Sequence, residues 1–247
     1  MNAYASLARF YDTLTRDVPY GAIADYYEAL IKRTGIQAKT ILDMACGTGT
    51  LTCLMADRGY DMIGVDASTH MLAAAAEKAY EKTNRPLLLH QPLEHLDLYG
   101  TVDAAVCSLD GINYIKPDRL GDVFRRVRLF LEPGGIFIFD INAPSKLKGL
   151  DGEVFLDETD DVFCVWRAAF DEKDNACRYG MDLFARDGNK WTRSREEHIE
   201  YVYEPYDLEK MLLEAGFEQI RIYGDMTFDA PGVTDQRVFI LALKPTL

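Results

Sequence analysis

Two carboxylates and two glycines in the first third of the chain form the combination best suited to chemistry. The stretch Ile41-Leu42-Asp43-Met44-Ala45-Cys46-Gly47-Thr48-Gly49-Thr50 runs from an apolar segment into a loop with glycines one residue apart. That spacing permits a sharp turn and a close approach of backbone to a ligand. A dinucleotide fingerprint would place a third glycine at position 52, where this chain has Thr52. Asp43, just ahead of the glycines, would repel a pyrophosphate and suits a cationic or amine-bearing ligand. It could also be only a structural or helix-capping acid. Asp66 closes the next apolar run, 17 residues beyond Gly49, where a carboxylate can accept both hydroxyls of a ribose. Together they describe a ligand with a nucleoside and a positive charge but no phosphate.

The elements that would position these residues alternate regularly. Apolar runs at Thr40–Met44, Asp61–Asp66, Leu87–His90, Ala104–Cys107 and Ile136–Asp140 read as short strands. Between them lie helical patterns at Tyr20–Arg33 (stopped by Gly35), Leu51–Arg58 (stopped by Gly59), Ser68–Lys82 and Asp118–Leu131. Ser68 and Asp118 read as the N-caps of the last two. Strands alternating with helices predict an α/β fold, a doubly wound, mostly parallel sheet with helices on both faces. Past Asn142 the pattern changes. From about Glu153 to Tyr203 the period is two, with turn signals at Asp171–Asn175 and Asp187-Gly188-Asn189, which predicts three or four antiparallel strands. A helix at Asp207–Ala215 and strands at Gln219–Tyr223 and Val238–Leu243 return to the first pattern. The expected organisation is a core at 1–145 with an aromatic lead-in (Tyr4, Phe10, Tyr11, Tyr20), an inserted antiparallel sheet at 146–205, and a return to the core at 206–247.

Composition narrows the partners. The 247 residues are 48% hydrophobic and carry a formal charge of −13, so a phosphate backbone or an anionic membrane would meet net repulsion. The basic stretches Arg125–Arg128 and Lys190–Arg195 are short and read as solvated surface. No apolar run is long enough to span a bilayer, and the first residues show no secretory pattern. The five cysteines, an odd number without a C-x-x-C pair, read as reduced thiols of a cytoplasmic protein, with no disulfide framework and no metal site. The remaining histidines His70, His90 and His95 show no metal-ligand spacing.

In four places the residues resemble the class I S-adenosylmethionine (SAM)-dependent methyltransferase family. These are Leu42–Gly49; Gly64-Val65-Asp66-Ala67-Ser68 with Met71 behind it; Ser108–Tyr114 after the fourth strand; and Leu131-Glu132-Pro133-Gly134-Gly135 before the fifth. The likeness is strong over about residues 36 to 142. Phe10-Tyr11-Asp12 and Asp17-Val18-Pro19-Tyr20 are similar to the lead-in of a bacterial small-molecule subgroup with an antiparallel insertion. The resemblance implies a Rossmann-like fold and SAM as cofactor. It implies Asp43, Ala45, Gly47 and Gly49 at the methionine end, Asp66 on the ribose, and Ala67 and Met71 beside the adenine. Ser108 and Leu109 would border the sulfonium, with Tyr11 and Tyr20 closing over the cofactor. Where relatives read the adenine amine with an acid or amide, this chain has Pro92, which leaves that role to Gln91 or the Leu93 backbone. Met71 could instead be core packing, and Tyr11 and Tyr20 could simply pack the first helix.

Methyl transfer from a sulfonium is an in-line displacement at an already activated carbon. The protein must align the acceptor, exclude water and, where needed, take a proton, so no protein nucleophile is required. The candidate bases are Asp110, Tyr114 and His198. His198 sits in Glu196-Glu197-His198-Ile199-Glu200, which reads either as a solvated strand face or as an attractor for a cationic substrate. Some amino-group methylating relatives carry Asn-Pro-Pro-Tyr after the fourth strand; here Leu109-Asp110-Gly111-Ile112 weakens that class. Trp166, Phe170, Tyr179, Phe184, Trp191, Tyr201, Tyr203 and Tyr206 would make the insertion either a substrate-selecting roof or a dimer interface. The expected activity is methylation of a small molecule by a monomer or homodimer. The alternatives are a SAM-binding protein that does not methylate, an RNA methyltransferase and a nicotinamide-dependent oxidoreductase.

Overall fold

A computed structural model describes residues 7–246, so Tyr4 of the aromatic lead-in lies outside the described residues. A short helix α1 (Tyr11–Leu14) precedes α2 (Tyr20–Thr34), which ends on Gly35 in the left-handed conformation at φ +79°. There follow β1 (Thr40–Met44), α3 (Thr50–Asp57), β2 (Asp61–Asp66), α4 (Thr69–Tyr80), β3 (Leu87–His90), β4 (Val102–Cys107), α5 (Pro117–Phe130) and β5 (Leu131–Asn142). A short helix α6 (Pro144–Gly149) then leads into β6 (Val154–Glu158), β7 (Val162–Asp171), β8 (Ala176–Asp187) and β9 (Lys190–Tyr201). The chain closes with α7 (Pro205–Glu214), β10 (Glu218–Tyr223) and β11 (Arg237–Leu243).

Two sheets result. Seven strands in the order β10-β11-β5-β4-β1-β2-β3 form the larger, parallel except that β11 runs antiparallel to both its neighbours, β5 and β10. Strand order reverses beside β1, with β2 on one flank and β4 on the other, and ligands bind in the crevice that such a switch opens. Both faces of β1 are buried. Ile41 joins Tyr27, Leu30 and Met55 beneath α2 and α3, while Leu42 and Met44 join Phe124, Phe137 and Leu212 beneath α5 and α7. The second sheet, β6-β7-β8-β9, is antiparallel throughout. Its Val162, Cys164, Met181 and Leu183 pack against Leu7 and Phe10. The lead-in therefore touches the inserted sheet. No described helix is long and apolar enough to cross a membrane.

Local chemistry explains most boundaries. Ser68 Oγ accepts the Met71 N–H and caps α4 as expected. Asp118 does not cap α5. The cap position is Lys116, with Pro117 at the first helical position and Asp118 in the first turn, where its charge complements the helix dipole. Pro133-Gly134-Gly135 does not break the chain before β5 but forms a register shift within it, between the Val102–Leu131 and Ala104–Ile136 pairs. The sequence pattern also missed α6, too short to show a period.

Gly135 sits where a Cβ would lie 2.8 Å from the Glu132 carbonyl and 2.9 Å from that of Asp103, both backbone atoms. Gly135→Ala should therefore cost about 1–3 kcal/mol, read as a lowered urea midpoint with an unchanged slope.

Candidate functional site

Beyond the carboxyl ends of β1, β2 and β4 lies a cavity of about 690 Å3. Its floor is the glycine loop and the turn after β4. Its roof is the second sheet, with Phe155, Trp166, Tyr179, His198 and Glu200 contributed by all four strands. Tyr11 and Tyr20 line it from the lead-in. A space of this size holds a nucleoside and a second small molecule together.

The glycine loop holds its shape through three residues at positive φ: Ala45 (+53°), Gly47 (+55°) and Gly49 (+71°). At Gly47 a Cβ would meet only open space, so the backbone there is laid bare to the cavity. At Gly49 it would strike Ala75 Cβ at 2.9 Å, so that glycine serves the packing of α4 and does not line the cavity. Asp66 steers the loop, its Oδ2 accepting the Gly47 N–H at 2.9 Å and its Oδ1 the Ser68 N–H at 2.7 Å. Burial raises its pKa from the ordinary carboxylate value. Asp43 lies behind the loop rather than on the cavity wall, 1% exposed. Thr52 donates to its Oδ2 at 2.5 Å, while its buried Oδ1 has no partner. Burial pushes its pKa up to about 7, against the Thr52 bond and with help from Asp66. An acid buried behind a backbone-exposing loop, with one oxygen unsatisfied, suits a ligand amine that reaches it directly or through water.

A second clamp ties the lead-in to this loop. Asp12 accepts hydrogen bonds from Thr48 (2.6 Å) and Thr50 (3.2 Å) and pairs with Lys78 at 2.8 Å. Burial alone would raise the pKa of Asp12; the bonds from Lys78 and Thr48 override it and hold the value below the ordinary one.

On the far side of β1, Asp140 near the end of β5 gathers four donors. Its Oδ1 accepts from Tyr27 Oη at 2.9 Å and the Leu109 N–H at 3.0 Å; its Oδ2 accepts from the Asp110 N–H at 3.1 Å and from Arg237. Leu109 and Asp110 are both at positive φ (+53° and +60°), a conformation non-glycine residues avoid and hold only when surroundings impose it. Arg237 also binds Asp110 Oδ1 at 2.9 Å, so one guanidinium bridges the two acids. The turn after β4, on the cavity floor, is thus set by a buried carboxylate on the next strand.

The roof end of the cavity is also polar. Asn142 donates to Glu200 Oε2 at 2.6 Å and accepts from Lys146 Nζ at 2.7 Å. Asn113 locks roof to floor, donating to the Tyr201 carbonyl at 2.9 Å and accepting the Asn142 N–H at 3.0 Å. His198, 4% exposed, packs against Trp166 with ring centroids 5.8 Å apart and planes tilted by 38°, and lies 3.5 Å from Glu196. Glu196 and Glu200 are therefore not a solvated face; only Glu197 among the three glutamates is exposed. Their strand alternates, and its even positions point inward.

Of the residues singled out in the sequence, Tyr11, Tyr20, Ala45, Gly47, Asp66, Ala67, Met71, Leu93, Ser108, Leu109, Asp110, Tyr114 and His198 line the cavity. Gln91 does not: its side chain is engaged with the Asp97 backbone through two hydrogen bonds. Missed were Glu94, Asn142 and Lys146 on the wall, and Asp140 and Arg237 behind it; Pro92 and Glu200, the latter read in the sequence either as part of a solvated face or as an attractor for a cationic substrate, also line the wall. Asp140 carried a readable signal, since it closes an apolar run as Asp43 and Asp66 do. The others meet only through long-range pairing.

The raised pKa of Asp43 has a signed consequence. Below about pH 4 both folded and unfolded chains hold this proton; between there and about 7 only the folded chain does, so stability falls across that window and levels above it. The stability difference between wild type and Asp43→Asn, followed by urea denaturation from pH 4 to 8, should change by an amount on the order of a few kcal/mol in that sense.

The chain was compared with known proteins. A family model described as a methyltransferase domain matches residues 41–135. A protein of Geobacillus sp. (strain WCH70), named as a methyltransferase, is 30% identical over 98% of this chain and 99% of its own. The crystal structure of a SAM-dependent methyltransferase from Clostridium acetobutylicum ATCC 824 superposes with a TM-score of 0.88 at 31% identity, covering 98% of this chain and 99% of the other. SAM-bound CalS10, an amino pentose methyltransferase from Micromonospora echinaspora, shares the fold with a TM-score of 0.74 at 19% identity, covering 93% of both chains. With its parallel sheet, its glycine loop and relatives alike over nearly their whole length, this chain belongs to the SAM-dependent methyltransferase family.

Proposed function

We propose that the methyl acceptor is a small molecule held under the four-stranded roof, in the same cavity as SAM. The observation that carries this reading is the shape of the site. One cavity of about 690 Å3 has the glycine loop on one wall and the side chains of β6 to β9 on another, which leaves room for a compact acceptor and little for a polymer. The fold neighbour that methylates an amino pentose is in keeping with it. SAM supplies a methyl group already activated on a sulfonium. What the chain must add is alignment and exclusion of water.

In this reading Asp66 accepts the ribose hydroxyls with the lone pairs its two backbone bonds leave over, and the exposed backbone at Gly47 admits the methionine portion. The Oδ1 of Asp43 gains its missing partner from the amino group. Ala67, Met71 and Leu93 take the adenine, while Ser108 and Leu109, held by Asp140, border the sulfur. Tyr11 and Tyr20 cover the cofactor, held in place by the Asp12 clamp. This assembly argues against a regulator that binds SAM without using it, because a second, structured half of the cavity would then have no purpose.

Two measurements test the proposal. Asp66→Ala should weaken SAM by about 1–3 kcal/mol in calorimetry, with the thermal midpoint recorded beside it because two backbone bonds are lost as well. Incubation with SAM and either an ultrafiltered metabolite extract, total RNA or total protein should release S-adenosylhomocysteine only with the first. Release with RNA or protein alone would overturn the reading.

A further inference from the structure

Within the small-molecule reading, on which this inference rests, the roof end of the cavity has its own chemistry. Two carboxylates face this space, Glu200 from the roof and Asp110 from the floor turn after β4. Glu200 is 5% exposed; Asn142 holds its Oε2, and its Oε1 accepts no hydrogen bond among the described residues. Arg237 holds Asp110 Oδ1, and Asp110 Oδ2 is likewise without a donor. Each acid thus has one oxygen fixed by the protein and one to spare. Trp166, Tyr179 and Tyr114 line the same space, and aromatic faces attract cations. The charge balance agrees: Asp110, Asp140 and Glu200 outnumber Arg237 and Lys146, and Arg237 is consumed by two of the acids. Among the described residues no guanidinium or lysine ammonium forms a hydrogen bond or ion pair with Glu200.

The geometry points to an amine as the methyl acceptor, an ammonium group seated between Glu200 and Asp110, with Glu200 Oε1 taking the proton that frees the nitrogen to react. The balance is simple. The acceptor arrives as an ammonium and gives one N–H proton to the Glu200 carboxylate. The freed nitrogen lone pair forms the new N–C bond as the methyl carbon's bond to sulfur breaks, and sulfur keeps that electron pair. The product leaves as a methylated ammonium, and Glu200 returns its proton to solvent. Burial and the like charge of Asp110 raise the pKa of Glu200, which brings it closer to that of an amine than an ordinary carboxylate would be. The missing Asn-Pro-Pro-Tyr element after β4 removes one way of holding an amine; β9 supplies another from the opposite wall.

The test uses matched probes on the protein saturated with S-adenosylhomocysteine: 2-phenylethylamine against 2-phenylethanol, and glucosamine against glucose, by calorimetry. The amine of each pair should bind at least tenfold more tightly. Glu200→Gln, whose amide oxygen can still accept from Asn142, should erase that preference while leaving S-adenosylhomocysteine affinity unchanged and the thermal midpoint no lower than that of the wild type. Equal binding of amine and alcohol, or a preference that Glu200→Gln leaves intact, overturns the inference but not the small-molecule reading. Failure of every probe to bind at millimolar concentration, with S-adenosylhomocysteine still bound, counts against both. Loss of S-adenosylhomocysteine binding in Glu200→Gln would mean that Glu200 belongs to the cofactor half, and would also overturn it.

Discussion

The Asp140 carboxylate organises this molecule more than any other group. It is buried near the end of β5 and receives hydrogen bonds from α2 through Tyr27, from the turn after β4 through two backbone N–H groups, and from β11 through Arg237. A buried charge with so many donors is tolerable only because each is well placed; removing one leaves a desolvated anion short of a partner. The same bonds hold Leu109 and Asp110 in an unfavourable backbone conformation. This part of the cavity wall is therefore dictated from outside the cavity, by elements contributed from near both ends of the chain.

Around that hub, acids at strand ends divide the work. Asp66 shapes the glycine loop while keeping lone pairs in reserve, and Asp43 waits behind it with an oxygen unsatisfied. Asp140 is occupied by four donors of the protein itself. Three carboxylates closing three apolar runs look alike in sequence, yet their neighbours give them separate duties. Position in the sheet decides which is which: β1 and β2 lie side by side at the crevice, while β5 is reached only across β4.

Much of this was legible beforehand. The alternation of short apolar runs with helical patterns fixes the parallel sheet, because strands buried on both faces must be apolar throughout, and the loop Asp43–Gly49 is a local motif whose ligand follows from its charge. Period two from about Glu153 to Tyr203 gives the second sheet, and the Gly188-Asn189 turn closes its last hairpin between Asp187 and Lys190 as the Asp-Gly signal implied. What could not be read was any contact between distant segments. Asn113 and Tyr201 are 88 residues apart, and Arg237 and Asp110 are 127 apart. The inward turn of Glu196, His198 and Glu200 needed the register of β9 against β8, since a strand of alternating charges looks the same with either face buried. Gln91 misled for a similar reason: its amide was expected on a ligand, but the nearby Asp97 backbone claims both its ends.

The division of the cavity between two stretches of chain has an evolutionary consequence. The cavity floor comes mainly from residues 41–111, where the proposed reading seats the nucleoside, and much of the opposite surface comes from residues 153–200. Replacements on β6 to β9 can therefore remodel what is recognised while the donor-handling machinery stays intact. A lineage built this way can diversify its chemistry by drifting in one segment, and homologues alike in their glycine loop need share no common metabolite.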